Sequence, residues 1–311
     1  MSLGKSVRLF LADGTPGGIT TAEIINWTGH VVSCSRSDLA TLLARDESSR
    51  TGIYLLIGAN GESLNGLDVY VGEGDSIGAR LKVHAAPTEK GGKDFWDRCV
   101  ILTSKDQNLT KAHARYLESR FIEVVEKAQR ATLVNGTRPP IIPLPEADIS
   151  DMEYFIEQSK IVLPVLGVNV LRSTQPMISG SAGPVVEAAP QFELKVDSKA
   201  VLFAYARDID GEFTVLAGSY ARNSWSGVHS SYESLRDKLE KDGTISLDGS
   251  GRKVFARNHV FSSVSAASAT ILGRSSNGRL DWVETETGMK YGNWQSSQIE
   301  TIPTDSSFVE N

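Results

Sequence analysis

Two hydrophobic periods divide this chain. Short apolar or alternating runs end at turn dipeptides, and longer segments repeat apolar positions every three or four residues. Val7-Arg8-Leu9-Phe10-Leu11 reads as a strand, followed by the turn Asp13-Gly14 and a helix around residues 36–45. A strand over Gly52–Ile57 breaks at Asn60-Gly61 and Asn65-Gly66 and resumes over Leu67–Val71, giving a hairpin with a long loop. Asp75 or Ser76 caps the next helix. Its buried stripe is Ile77 and Leu81, which leaves Arg80 and His84 side by side at the adjacent edge. A third strand follows at Trp96–Leu102, with Cys99 and Ile101 on one face. The longest helix, Leu109–Arg130, has Asn108 or Thr110 as cap and buries Leu117, Phe121, Val124 and Ala128.

The pattern changes after the turn Asn135-Gly136 and the prolines at 139, 140, 143 and 145. A short helix near Ile149–Ser159 leads into the small, Pro/Gly/Ser-rich stretch Ser173–Pro190, which reads as a flexible linker. Strands are then expected at Lys199–Arg207, Phe213–Ala221, Lys253–Ala256 and Leu280–Thr285. Helices are expected at Ser231–Lys241 and Ser265–Leu272, stopped by Gly243 and Gly273, and the tail beyond Trp294 is polar. The expected class is α+β. Its parts are an N-terminal extension (1–47), a first domain (48–145), a helix and linker (146–194), a second small α+β domain (195–295) and a tail (296–311).

Length supports the division, because 311 residues exceed one ordinary domain. With 40% hydrophobic and 23% charged residues each half can bury a core. Cys34 and Cys99 are far apart in the chain and belong to no CxxC pair, which argues against a disulfide framework and a zinc site and fits a reducing cytoplasm. Met1-Ser2-Leu3-Gly4-Lys5 opens no apolar stretch of signal-peptide length, and no run of 18 apolar residues occurs, so no membrane partner is expected.

A net charge of −6 opposes a nucleic-acid partner, but its distribution favours one. From Arg80 to Arg138 twelve Lys/Arg stand against seven Asp/Glu, and Lys82, Lys90 and Lys93 lie in that stretch. Arg252, Lys253, Arg257, Arg274 and Arg279 form a second basic stretch without an acid.

The residues with candidate chemistry concentrate in the first domain. Tyr54 and Tyr70 fall on the two hairpin strands, within Gly-Ile-Tyr at 52–54 and Tyr-Val-Gly at 70–72. Arginine suits charge on a phosphoryl oxygen because its planar fork donates two hydrogen bonds and keeps its charge. Histidine relays protons near neutral pH. Glu118 precedes Phe121 and Ile122 at the edge of the long helix's apolar stripe, where an unpaired carboxylate loses hydration. A salt bridge to Arg115 or Arg80, or a bound Mg2+, would relieve that cost.

The ordered set Gly-Ile-Tyr, Tyr-Val-Gly, Arg80, His84 and Glu118 resembles the GIY-YIG endonuclease family over about 90 of 311 residues. That resemblance implies a small three-stranded antiparallel sheet flanked by helices. It also implies a site of Tyr54, Tyr70, Arg80, His84 and Glu118, with Glu118 as sole protein ligand of Mg2+ or Mn2+ and Asn135 as the terminal asparagine. The implied activity is hydrolysis of DNA phosphodiester bonds by water that Tyr54 activates with help from His84. A homodimer or sequential nicks would be needed to cut both strands. The stretches Val215–Ser219, Phe261–Ala267 and 273–278 with Trp282 look like an uncharacterised domain often appended to bacterial GIY-YIG proteins, expected to help choose the DNA. The serine-rich start of the 265–272 helix offers N–H groups to a phosphate and Trp282 a stacking face. A catalytically silent DNA-binding module and a protein-interaction scaffold are the competing expectations; salt-sensitive DNA binding separates the scaffold from the others.

Overall fold

Strand pairing carries the first fifty residues into the same sheet as the tyrosine hairpin. The computed structural model describes residues 4–60, 66–173, 189–197, 201–209, 211–226 and 228–300. The chain divides between Ser173 and Thr174 into two units. The first contains β1 (Val7–Leu11), β2 (Thr20–Ile24), β3 (Gly29–Ser35), α1 (Leu39–Leu43), β4 (Gly52–Ala59), β5 (Leu67–Gly74), α2 (Ile77–Ala85), β6 (Arg98–Ser104), α3 (Lys111–Ala128), β7 (Thr132–Leu133) and α4 (Glu146–Val165). Its strands form one sheet of order β1-β2-β3-β6-β4-β5-β7, antiparallel except for the β5/β7 pair.

β4 and β6 lie near the sheet's centre because they are apolar on both faces and both faces are covered. One core gathers Ile53, Leu55, Val69 and Val71 with Leu117 and Phe121 of α3 and Phe155 and Ile156 of α4. The other gathers Tyr54, Leu56, Cys99 and Ile101 with Leu39 and Leu42 of α1 and Ile77 and Leu81 of α2. α3 starts with a reciprocal cap. The Thr110 hydroxyl accepts from His113 N–H, and the Thr110 N–H donates to His113 Nδ1. Arg120 and Tyr116 both bind Glu153, fastening α4 to α3.

Several expectations are corrected. The small three-stranded sheet is real as β4, β5 and β6 but is extended to seven strands, so residues 1–47 are no mere extension. β2 and β3 escape sequence reading because β3 is buried on both sides and interrupts its apolar run with Gly29, His30 and Ser33. The helix expected at Ile149–Ser159 runs over Glu146–Val165 and belongs to the first core rather than to a linker. Ser76 takes the N-cap position of α2 without a side-chain capping bond. Residues 174–188 of the expected linker lie outside the described residues. Cys34 and Cys99, distant in the chain, are directly opposite on β3 and β6.

The second unit is also α+β. It comprises β8 (Gln191–Asp197), β9 (Leu202–Ile209), β10 (Glu212–Val215), β11 (Tyr220–Ala221), α5 (Ser231–Lys241), β12 (Ile245–Leu247), β13 (Lys253–Phe255), β14 (His259–Phe261), α6 (Val264–Leu272), α7 (Gly278–Asp281), β15 (Val283–Glu284) and α8 (Tyr291–Glu300). A five-stranded sheet runs β14-β10-β9-β8-β15, and a three-stranded antiparallel sheet runs β11-β13-β12. β8 has a clean inward alternation of Phe192, Leu194 and Val196 and straddles the expected boundary between linker and second domain. The strand expected at Leu280–Thr285 is the short helix α7 followed by β15, and α8 occupies the start of the expected tail. Among the described residues no helix is long and apolar enough to cross a membrane.

Candidate functional site

Tyr54 on β4 and Tyr70 on β5 stand on the face of the sheet that α2 covers. Tyr54 pairs with Gly72 and Leu56 with Tyr70 across the ladder, which sets both rings on one side. Tyr54 is fully buried, and its ring lies 6.2 Å from that of Tyr70. A Cβ on Gly72 would overlap the Tyr54 hydroxyl, so the glycine that ends Tyr-Val-Gly makes the room in which Tyr54 points. Gly74 plays the same part for Arg80, whose Cγ would stand 2.8 Å from a Cβ there.

α2 delivers Arg80 and, one turn later, His84. The Tyr54 hydroxyl and His84 Nε2 are 2.7 Å apart, and His84 Nδ1 is buried with no partner among the described residues. The His84 ring also meets the Tyr70 ring at 5.1 Å. Burial, then the Lys93 and Arg80 charges, lowers the His84 pKa to about 4, so the ring is neutral at physiological pH. Burial and the Tyr70 neighbour raise the pKa of Tyr54, opposed by Arg80. Burial and Glu118 raise that of Tyr70. The Arg80 guanidinium is held in its charged form by Tyr54, and also by Tyr70 and Glu73.

Glu118 projects from α3 toward the Glu73 end of β5. Among the described residues its carboxylate has no hydrogen bond or ion pair, and neither expected bridge, to Arg115 or to Arg80, is formed. Glu73 takes the nearby cations instead, with Lys111 at 2.6 Å and Arg115 at 4.0 Å. Burial, and next the negative Glu73, raises the Glu118 pKa to about 7 despite Arg80, Lys111 and Arg115. No cluster of three or more His, Cys, Asp or Glu placed for a metal occurs among the described residues.

Asn135 is bonded to the strand that carries Tyr70. Its side chain accepts from Val71 N–H at 3.0 Å and donates to Val71 C=O at 2.7 Å, satisfying the backbone between Tyr70 and Gly72. Lys93, expected with Lys82 and Lys90 as a nucleic-acid-binding cation, stands 4.5 Å over the Tyr70 ring. Lys82 and Lys90 are exposed. Glu73 and Lys111 were missed by sequence reasoning, although Glu73 directly follows Tyr-Val-Gly.

The second basic stretch is largely neutralised. Arg252 pairs with Asp248, Lys253 with Glu240 and Arg257 with Asp242, leaving Arg274 and Arg279 exposed. Trp282 is no stacking platform. It is fully buried, packs on Phe213 at 5.0 Å and donates its indole N–H to Val264 C=O. The N-cap of α6 is Ser263, whose own hydroxyl accepts from Ala266 N–H.

Residues 194–295 match the family model of a domain of unknown function, DUF4357. That match lies within the second unit, and no match to the GIY-YIG family accompanies it. No curated protein and no solved structure matches the chain.

Proposed function

We propose that the first unit is a metal-dependent endonuclease that hydrolyses DNA phosphodiester bonds, and that the second unit helps select the DNA. The observation that carries this reading is the convergence of Tyr54, Tyr70, Arg80, His84 and the unpartnered Glu118 at one end of the β4/β5 hairpin. A half-buried carboxylate without a hydrogen bond or ion pair among the described residues fits a divalent cation, and Glu118 would hold Mg2+ or Mn2+, which would supply Lewis-acid stabilisation of phosphoryl charge.

The chain's own groups divide the remaining work. With its proton on Nδ1, neutral His84 accepts the Tyr54 hydroxyl proton at Nε2 over 2.7 Å, while Tyr54 takes a proton from the attacking water. Burial disfavours a standing phenolate and a standing imidazolium alike, so the proton passes through Tyr54 to His84 only as the water attacks. Arg80, permanently charged, faces the same hydroxyl and is suited to the phosphoryl oxygens of the transition state. Tyr70 narrows the site beside His84. Exposed Lys82 and Lys90 on and after α2 favour a polyanion nearby. A single site makes one nick, so cutting both strands takes a homodimer or two events.

Strand scission of labelled linear, branched and modified duplexes with Mg2+ or Mn2+ tests the reading. Tyr54→Phe, His84→Ala and Arg80→Ala are expected to lose on the order of 100-fold or more in rate while still binding DNA in low salt. Wild-type rates in all three would overturn it. Salt-sensitive binding without scission on any substrate would instead identify a silent DNA-binding module.

A further inference from the structure

Cys34 and Cys99 occupy matching positions of the β3/β6 ladder, their sulfurs 3.5 Å apart and both buried. The Arg36 N–H donates to Asp97 C=O two residues along, and alternation makes Cys34/Cys99 a hydrogen-bonded antiparallel pair. Such pairs hold their Cα atoms about 5.5 Å apart, within the span of a disulfide. The sulfurs need to close by only about 1.5 Å to reach bonding distance.

The two thiols are not equivalent. Residue Cys34 borders a cleft of about 560 Å³ lined by Leu9, Leu11, Ser33, Asp97 and Arg98, while its side chain lies with Cys99 in the core on the α2 face. Cys99 lies behind it on β6, fully buried, with Leu56 of β4 as its other strand neighbour. The hydrogen bond with Cys34, together with burial, pushes the Cys99 thiol well up, so Cys99 keeps its proton. The sequence span between the cysteines contains Tyr54, Tyr70, Arg80 and His84.

We propose that Cys34 and Cys99 form a peroxide-responsive dithiol whose intramolecular disulfide staples the segment carrying the candidate site. The Cys34 thiolate attacks one oxygen of hydrogen peroxide; the S–O bond forms, the O–O bond breaks and hydroxide leaves, taking up a proton as water. Cys99 Sγ then attacks the sulfenic sulfur. The S–S bond forms, the S–O bond breaks and the departing hydroxide takes the Cys99 proton as a second water. Two electrons pass from the sulfurs to the peroxide. The proposal stands on this pair alone and is independent of the nuclease reading.

The test is mild peroxide treatment of the folded full-length protein, followed by denaturing alkylation, peptide mass analysis and a thermal scan. Both thiols should disappear. A Cys34–Cys99 cross-linked peptide lighter by two hydrogen atoms should form within a single chain and be reversed by dithiothreitol. The melting midpoint should rise by about 5–10 °C, because the closed loop is long. Cys99→Ser should yield a dimedone adduct on Cys34, whereas Cys34→Ser should yield neither adduct nor link. Persistence of both free thiols in the folded wild type, or links only between chains, would overturn the proposal, and that readout needs neither variant.

Discussion

Replacing Glu118 by Gln should make the protein in chelator more stable at alkaline pH while removing the proposed metal ligand. The carboxylate sits half-buried with Glu73 nearby, and no hydrogen bond or ion pair offsets the cost of keeping it charged. Lifting a carboxyl from 4.5 to about 7 corresponds, at ~1.36 kcal/mol per pH unit, to an upper figure of ~3.4 kcal/mol. Solvent reaching a half-exposed group lowers this to about 1–2 kcal/mol. The sign follows from proton binding. Between pH 4.5 and 7 the folded state holds the proton and the unfolded state does not, so this group's contribution falls as pH rises and is constant above about 7. Glu118→Gln should therefore match the wild type at pH 4 and exceed it at pH 8, with a melting midpoint roughly 3–6 °C higher in chelator. Excess Mn2+ should stabilise the wild type, by ~2.7 kcal/mol at 100 times its Kd, and leave the variant unmoved. A variant less stable than the wild type at pH 8 would show that the carboxylate holds the fold, and would refute the reasoning.

Three other outcomes follow from the packing. Gly72→Ala drives a methyl into the Tyr54 hydroxyl, so it should destabilise by about 1–3 kcal/mol in urea unfolding and change the titration of His84 seen by NMR. Asn135→Ala removes both bonds to the Val71 backbone, and should cost about 1–3 kcal/mol and speed amide exchange around 70–72. In the second unit Arg236 is buried with bonds to Thr270 C=O, Arg222 C=O and Glu240, so Arg236→Ala should cost about 3–5 kcal/mol, leaving the cooperative melt of the first unit in place.

What the sequence disclosed was local. The two tripeptides lie on one hairpin, and Arg80 and His84 are one helical turn apart, so period and spacing suffice to place them. Glu118 was legible as a carboxylate at the edge of an apolar stripe, but its isolation depends on Lys111 and Arg115 turning to Glu73, which is a tertiary fact. The acid-free stretch from Arg252 to Arg279 looked basic because its partners, Glu240, Asp242 and Asp248, precede it in the chain. Cys34 and Cys99 were read as separate because a sheet ladder joins residues whose separation in the chain says nothing of their distance. β3 and β8 were missed for opposite reasons: one is buried on both faces and shows no alternation, the other alternates cleanly but adjoins a segment of linker composition. Trp282 shows that an aromatic side chain and a basic neighbourhood do not make a stacking surface once the core claims the ring.

Conversion of supercoiled plasmid to nicked circle, followed with Mg2+ or Mn2+ and with chelator, for the wild type beside Glu118→Ala, tests the central claim most directly. The account predicts nicking by the wild type that requires the cation and is lost in the variant. Nicking that survives both chelator and Glu118→Ala, or none by a wild-type protein that binds the DNA, would contradict it.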